Sequence, residues 1–259
     1  MAITPITPPT TSLQNARIGY KNLLTASTTA GADAMLVPNT WERYLPLNGS
    51  FQVRMQLSSA SQIDFVAIAA HNVGTHNGGT TIDISYTTTV GGSLIGLLTW
   101  QPTDNSAMMH LMQPVNAAEV VLSFGTSTGM EIGIFYAGLS LEMQHGIYGG
   151  HSPIVLSGKT SYQSVMSDTG QFLGRNIVRQ GVESAFSWRH LGADWYRENF
   201  KPFAKSARNL PFFIKCRPDL YPDEVAFGHT TSDISPMNMT GGSGLMEVDF
   251  KMLGHEDVS

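Results

Sequence analysis

The amino-acid sequence predicts a mainly β protein, with a jelly-roll β-sandwich in its first part and an α+β domain with one or two short helices in its second. Three observations lead to this prediction. Short segments of alternating apolar and polar residues recur along the chain, which is the pattern of half-buried strands. The 259 residues include 26 glycines and 13 prolines, a content typical of frequent turns. Only 14% of the residues are charged, as expected for strands packed closely against neighbours.

The first part of the chain contains six segments that read as strands. Residues 51–57 alternate between apolar and polar side chains, whereas residues 62–70 are mostly apolar and predict a more fully buried strand. The remaining four predicted strands are 80–86, 94–99, 119–124 and 130–143. Six strands at short spacing, with no long helix between them, favour a jelly-roll sandwich over residues 15–143.

The second part begins after a break in the strand pattern. Glycine and proline interrupt residues 144–153, and we predict a linker between two domains there. Residues 182–189 and 246–252 alternate clearly and predict two strands of a domain at 154–259. Between them, residues 193–208 place aromatic side chains roughly on one helical face, and Pro202 is expected to kink or restart the helix. These aromatic residues are Trp195, Tyr196, Phe200 and Phe203.

The N-terminal segment 1–14 is rich in proline and threonine. Proline favours an extended conformation and opposes a helix, so this segment is predicted to be an arm that docks on another subunit or stays disordered. It lacks the features of a secretory signal. No apolar run approaches the roughly 18 residues of a membrane helix, and we expect no membrane insertion.

Composition argues against several classes of function. A net charge of -5 and a pI near 5.9 lack the basic footprint of a nucleic-acid-binding protein. The single cysteine, Cys216, cannot form an intrachain disulfide or a multi-cysteine zinc site. We therefore expect no nucleic acid, no cofactor and no metal.

One short motif resembles a catalytic one. Residues 125–129 match the nucleophile-elbow pattern around Ser127, which requires a strand before the serine and a helix after it. Predicted strands flank this segment on both sides, so we interpret it as a hairpin turn. Nothing marks a pair of catalytic carboxylates either, and we predict a protein that is not an enzyme.

Two groups of residues are candidates for contacts with a ligand or a neighbouring subunit. His71, Asn72, His76 and Asn77 follow the buried strand in one loop, which is either a polar turn or part of a binding surface. A carbohydrate site would instead use an exposed aromatic with polar groups at the loop rim. Trp41, Trp100 and Asp104 could serve in that way, although we expect Trp41 to be in the core, as tryptophan is highly buried on average.

The predicted helix carries basic residues along one side. Arg197, Lys201, Lys205 and Arg208 follow one another at spacings of three or four residues. Such a stripe is either a solvated helix face or a basic interface for an acidic patch on a neighbouring subunit.

Parts of the sequence resemble proteins of bacteriophage tails. Residues 17–27, 38–44 and 63–72 resemble discoidin-like, galactose-binding-like domains of such proteins, and this resemblance covers about residues 15–143. Residues 209–227 resemble a block rich in proline and aromatic residues that occurs in minor tail and baseplate proteins, although Lys215 and Cys216 stand where an aromatic is common.

This resemblance implies a structural component of the tail tip or baseplate, made in the host cytoplasm and located in the virion tail. Its implied partners are other tail proteins, further copies in a ring, and a host surface glycan. The alternative is a carbohydrate-binding module that recognises a receptor, and a hydrolase of cell-wall or capsule polymer is a distant third. A fold shared by many functions does not decide between them.

Overall fold

The computed structural model describes residues 14–45, 51–75, 81–125, 129–149, 151, 153–239 and 244–255. Within them the chain forms β1 (Arg17–Gly19), β2 (Leu24–Ser27), β3 (Phe51–His71), β4 (Ile82–Thr87), β5 (Ile95–Trp100), β6 (Met108–Phe124), β7 (Ile132–Gly138), β8 (Leu141–Glu142), β9 (Gly158–Met166), β10 (Phe172–Gly192), β11 (Phe212–Lys215), β12 (Val225–Thr230), β13 (Ser235–Asn238) and β14 (Leu245–Gly254). Of the predicted N-terminal arm, only Gln14 is among the described residues.

The prediction of a mainly β protein with a β-sandwich and an α+β second part is confirmed. The first sheet has the order β2-β3-β6-β4-β5, and β7 also pairs with β3. The long strands β3 and β6 pair antiparallel along most of their length. β2 and β4 flank one end of this pair, whereas β7 flanks the other end. Both ends contribute side chains to a shared hydrophobic cluster.

Several predicted strand boundaries differ from the observed ones. Residues 51–57 and 62–70 belong to the single strand β3, which shifts register against β6 between Gln56 and Ser61. The predicted strand 130–143 is divided into β7 and β8, which lie in different sheets. Among the described residues, β6 and β7 both pair with β3 and no pairing joins them to each other, so the two strands that flank residues 125–129 are not the arms of one hairpin. Ser127 lies outside the described residues.

The second sheet has the order β8-β1-β11-β12-β14-β10-β9, with β13 paired to β14. The alternating segments 182–189 and 246–252 are central to it, because Phe186 lies opposite Phe250 and Trp188 lies opposite Val248. β1 and β8 come from the part of the chain assigned to the sandwich, yet they pair with each other and β1 pairs with β11. The division of the chain at 144–153 therefore does not coincide with the division between the sheets.

The predicted helical segment consists of α1 (Ala193–Trp195), a π-helical stretch (Tyr196–Phe200) and α2 (Lys201–Ser206). Pro202 is the second residue of α2 and directly follows the π-helical stretch, so regular α-helical hydrogen bonding is interrupted next to the residue that lacks an N–H. The side chains of Tyr196, Phe200 and Phe203 are buried against the second sheet, and that of Trp195 is half-buried. Within the described part of the chain, no helix is long and apolar enough to cross a membrane.

A third cluster of buried side chains joins the two sheets. It combines Phe65 of β3 and Tyr136 of β7 with Phe213 of β11 and Phe227 of β12. The rings of Tyr136 and Phe213 meet edge to face at 5.4 Å. The layer formed by β7, the second half of β3 and the first half of β6 is thus buried on both faces, which explains why residues 62–70 are so uniformly apolar.

Candidate functional site

A single tryptophan projects from a loop at one end of the sandwich. The side chain of Trp41 is 92% exposed, although it is among the largest apolar groups in the chain. The prediction that Trp41 belongs to the core is wrong. The structure buries Tyr44 in its place, three residues later, where it bridges to Ile132 of β7 and stacks near Phe51.

The backbone around Trp41 is fixed by local hydrogen bonds. The Asn39 carboxamide oxygen accepts a hydrogen bond from the N–H of Trp41 at 3.0 Å and another from that of Glu42 at 2.8 Å. Tyr44 exchanges two backbone hydrogen bonds with Ile132, at 2.8 and 3.1 Å. Because both sides of the loop are tied down, the indole is presented from an ordered backbone.

An ion pair lies two residues from this tryptophan. Arg43 Nη1 is 3.2 Å from Glu131 Oε2, and both side chains are partly exposed. Asn72 holds Glu131 in place, because its carboxamide oxygen accepts from the N–H of Glu131 at 2.8 Å while its own N–H donates to the Glu131 carbonyl at 3.3 Å. The side-chain Nδ2 of Asn72 donates to the carbonyl of Gly129 at 3.0 Å. Asn72 therefore positions the rim of the loop.

The loop thus carries an exposed aromatic two residues from a guanidinium that pairs with a carboxylate. The sequence prediction included Trp41 and Asn72 but omitted Arg43 and Glu131, which are almost 90 residues apart. Arg43 is only two residues from the candidate tryptophan, and this proximity was the one feature of the sequence that could have placed Arg43 in the site. No local pattern indicates that Glu131 pairs with it.

The other predicted contact residues have different positions. His71 is fully buried, with Nε2 2.9 Å from the carbonyl oxygen of Ser106, so its prediction as a surface contact is wrong. Trp100 is buried in the sandwich core, although it also lines, with Asp104, a cleft between β6 and the loop that precedes β12, so its role as a contact stays a prediction. Asp104 is exposed and accepts from the N–H of Ser106 at 2.9 Å. His76 and Asn77 lie outside the described residues.

The basic residues of the helical segment all have exposed side chains. Arg197 pairs with Asp194 at 3.7 Å, and Arg208 pairs with Asp233 at 3.5 Å. Lys201 and Lys205 lie between them on α2. These contacts fit a solvated face, and a basic interface for a neighbouring subunit stays a prediction.

A separate cleft of about 680 Å³ lies between β6 and the loop that precedes β12. The ammonium group of Lys215 is buried at its wall and donates to the carbonyl of Met109 at 2.9 Å. Burial lowers the pKa of Lys215 to about 8, although the nearby charge of Asp223 opposes this shift. Burial, and then the charge of Lys215, lowers the pKa of His110 to about 4, so His110 is neutral at pH 7.

Lys215 should make the stability of the protein depend on pH in the alkaline range. Because its pKa is lower in the folded chain than the ordinary 10.5, the unfolded chain binds more protons between pH 8 and 10.5, and this contribution favours folding increasingly as the pH rises. We expect the free energy of unfolding of the unaltered chain to rise relative to that of Lys215→Met as the pH increases across this window. Urea denaturation at several pH values measures it, and a constant difference would contradict the prediction.

Comparisons with known proteins give structural similarities only. No protein-family model matches the chain, and no curated protein matches it. Among solved structures, it is similar to a pectin-binding carbohydrate-binding module, with 17% identity, a TM-score of 0.38, and coverage of 45% of this chain and 91% of the other.

Two further similar structures are also carbohydrate-binding modules. The first is CBM32-1 from a family 31 glycoside hydrolase of Clostridium perfringens, with 10% identity, a TM-score of 0.35, and coverage of 48% of this chain and 93% of the other. The second is the CBM32 of AlyQ in complex with 4,5-unsaturated mannuronic acid, with 11% identity, a TM-score of 0.34, and coverage of 49% and 98%. None of these three structures is described as a tail protein.

Proposed function

We propose that this protein is a non-catalytic carbohydrate-binding protein and that Trp41 is the platform for the sugar. The observation that carries this proposal is the exposure of the Trp41 side chain on a loop whose backbone is fixed. Burying a tryptophan removes roughly 150–250 Å² from water at about 25 cal/mol per Å². Burial of the Trp41 indole by a ligand would therefore contribute roughly 4–6 kcal/mol that the exposed side chain does not contribute to folding.

A sugar ring fits the chemistry of this loop. Its C–H face is apolar and can cover an indole, while its hydroxyl groups require fixed polar partners around the aromatic. The ion pair of Arg43 and Glu131 offers donors and an acceptor within reach of solvent, and the hydrogen bonds between Asn72 and the Glu131 backbone position this residue. Because the pair combines one positive and one negative charge, it suits a neutral hydroxyl-rich ligand.

We expect Trp41→Ala to weaken glycan binding by at least tenfold, which corresponds to about 1.4 kcal/mol. The full chain would be screened on a glycan array, and titration calorimetry with the best ligand would then compare the variants. Tyr221→Ala is the matched control, because Tyr221 is also an exposed aromatic but lies in the second part of the chain.

Both variants should keep the melting temperature of the unaltered chain, since neither removed side chain is buried. Binding that survives Trp41→Ala unchanged would refute the role of Trp41. An array without any reproducible ligand would argue against carbohydrate binding as a whole.

A structural role in a phage tail tip or baseplate is the second candidate. It is favoured by the exposed apolar hairpin formed by β9 and the first part of β10, since large exposed apolar patches commonly mark contacts between proteins. The resemblance of residues 209–227 to tail proteins and the low charge of the chain agree with this role. Antibody labelling of purified phage particles would test this role, and the absence of the protein from those particles would exclude it.

A further inference from the structure

A two-stranded β-hairpin extends beyond the second sheet. β10 pairs with β14 only from Val182 onward, whereas its earlier part, Phe172–Gly181, pairs with β9. The turn between the strands closes with a hydrogen bond from the N–H of Ser167 to the carbonyl of Gln171 at 2.8 Å. We call residues 158–181 the hairpin. Within the described residues, β9 is the last strand of its sheet.

The hairpin exposes an unusual amount of apolar surface. Seven large apolar side chains in it are 47–68% exposed: Tyr162, Val165, Met166, Phe172, Leu173, Ile177 and Val178. Tyr162 lies opposite Ile177, and Met166 lies opposite Phe172, so these four side chains share one face of the hairpin. The guanidinium of Arg175 lies 3.8 Å from the centre of the Tyr162 ring on that face.

An isolated two-stranded hairpin has little stability in water, and three or more strands with an apolar face are usually needed. The outer edge of β9 carries backbone donors and acceptors without a strand partner in the described chain. Protein sheets commonly protect such edges with charged residues, proline or bulges. Between Thr160 and Met166, β9 has neither a charged residue nor a proline.

We propose that β9 pairs antiparallel with β9 of a second copy of this chain, so that two hairpins form a four-stranded sheet across a twofold axis. Antiparallel pairing of identical strands is self-complementary and closes after two copies. The nine residues of β9 span about 30 Å. Residues 160–166 are uncharged, so the strand edges themselves bring no like charges together; the guanidinium of Arg175, on β10, lies over the Tyr162 ring.

The outer strand itself presents apolar side chains for this contact. Tyr162, Val165 and Met166 of β9 are 47–63% exposed, and pairing of the two β9 edges places them beside their counterparts in the second copy. This inference is independent of the proposed sugar site, which lies on the sandwich.

Charge-swapped variants test whether the partner is a second copy. Ser161, Gln163 and Val165 are exposed and share the hairpin face opposite Tyr162. One variant carries Ser161→Lys, Gln163→Lys and Val165→Lys, and the other carries glutamate at the same three positions. Each variant brings like charges together across the twofold axis, whereas an equimolar mixture brings opposite charges together.

Sedimentation velocity should show a dimer for the unaltered chain, monomers for each variant alone, and dimers again for the mixture. The control variant, Ser58→Lys with Ser59→Lys and Ala60→Lys, adds the same charge at exposed positions of β3 and should remain a dimer. An unaltered chain that is monomeric at every concentration overturns the proposal. Lysine variants that still dimerise would also overturn it, as would an equimolar mixture of the two variants that stays monomeric.

Discussion

Phe213→Ala is expected to lower the free energy of unfolding by about 3–5 kcal/mol, as is typical for a fully buried phenylalanine. Phe213 lies between the two sheets, where its ring contacts those of Tyr136 and Phe227 at centroid distances of 5.4 and 4.7 Å. Its removal leaves a cavity in the cluster that joins β3 and β7 to β11 and β12. Urea denaturation followed by fluorescence and circular dichroism gives the difference.

Phe172→Ala is the matched control, because Phe172 is exposed in the hairpin, and it should change the stability of the monomer by less than about 1 kcal/mol. A loss below 1 kcal/mol for Phe213→Ala would show that the cluster contributes little.

The unaltered chain should unfold in one transition, since both sheets share this cluster and β1 and β8 belong to the second sheet. Two separate transitions would instead support independent domains divided at 144–153.

Arg54→Met is expected to destabilise the protein by about 3–5 kcal/mol, because it leaves a buried carboxylate without its cation. The Glu119 side chain is almost fully buried, and its Oε2 accepts hydrogen bonds from Arg54 at 3.1 Å, the Thr87 hydroxyl at 3.2 Å and the Gly91 N–H at 3.0 Å. These two neutral donors, and Gln56 Nε2 at 3.4 Å from the Glu119 Oε1, cannot replace the charge of Arg54. Thermal and urea denaturation at pH 7 measure the loss.

The double variant Arg54→Met with Glu119→Gln should recover much of this loss, since it removes the unpaired charge and keeps a group that can accept hydrogen bonds. Lys159→Met is the control for an exposed ion pair, because Lys159 pairs with Glu183 near the surface, and it should cost at most about 1 kcal/mol. Equal losses for Arg54→Met and Lys159→Met would contradict the importance of burial at Glu119.

Strands with one buried face were predictable from the sequence. Residues 182–189 and 246–252 alternate clearly and form the paired strands β10 and β14, because alternate side chains of a strand point to opposite faces. The aromatic face of the helical segment was predictable for the corresponding reason, as a helix repeats about every 3.6 residues. The hairpin was not predicted, since its apolar residues interrupt the alternation at Leu173 and Val178, where the register shifts.

The candidate site was only partly predictable. Trp41 was identified as a residue that could stack on a sugar, but its burial was predicted incorrectly. Arg43 and Glu131 meet only because the bridge between Tyr44 and Ile132 brings a loop of the first part against the start of β7. His71 failed as a surface candidate because the strand that precedes it is buried on both faces.

The fold class, the alternating strands and the aromatic helical face each depend on a short-range repeat of apolar residues, and such repeats can be seen in the sequence. Three features depend on the packing of the folded chain: the sheet that each strand joins, the pairing of β1 with β8 in the second sheet, and the exposure of Trp41 beside a buried Tyr44. Burial at these positions is set by distant segments that pack together. A tryptophan has the same local sequence whether another layer covers it or leaves it in water.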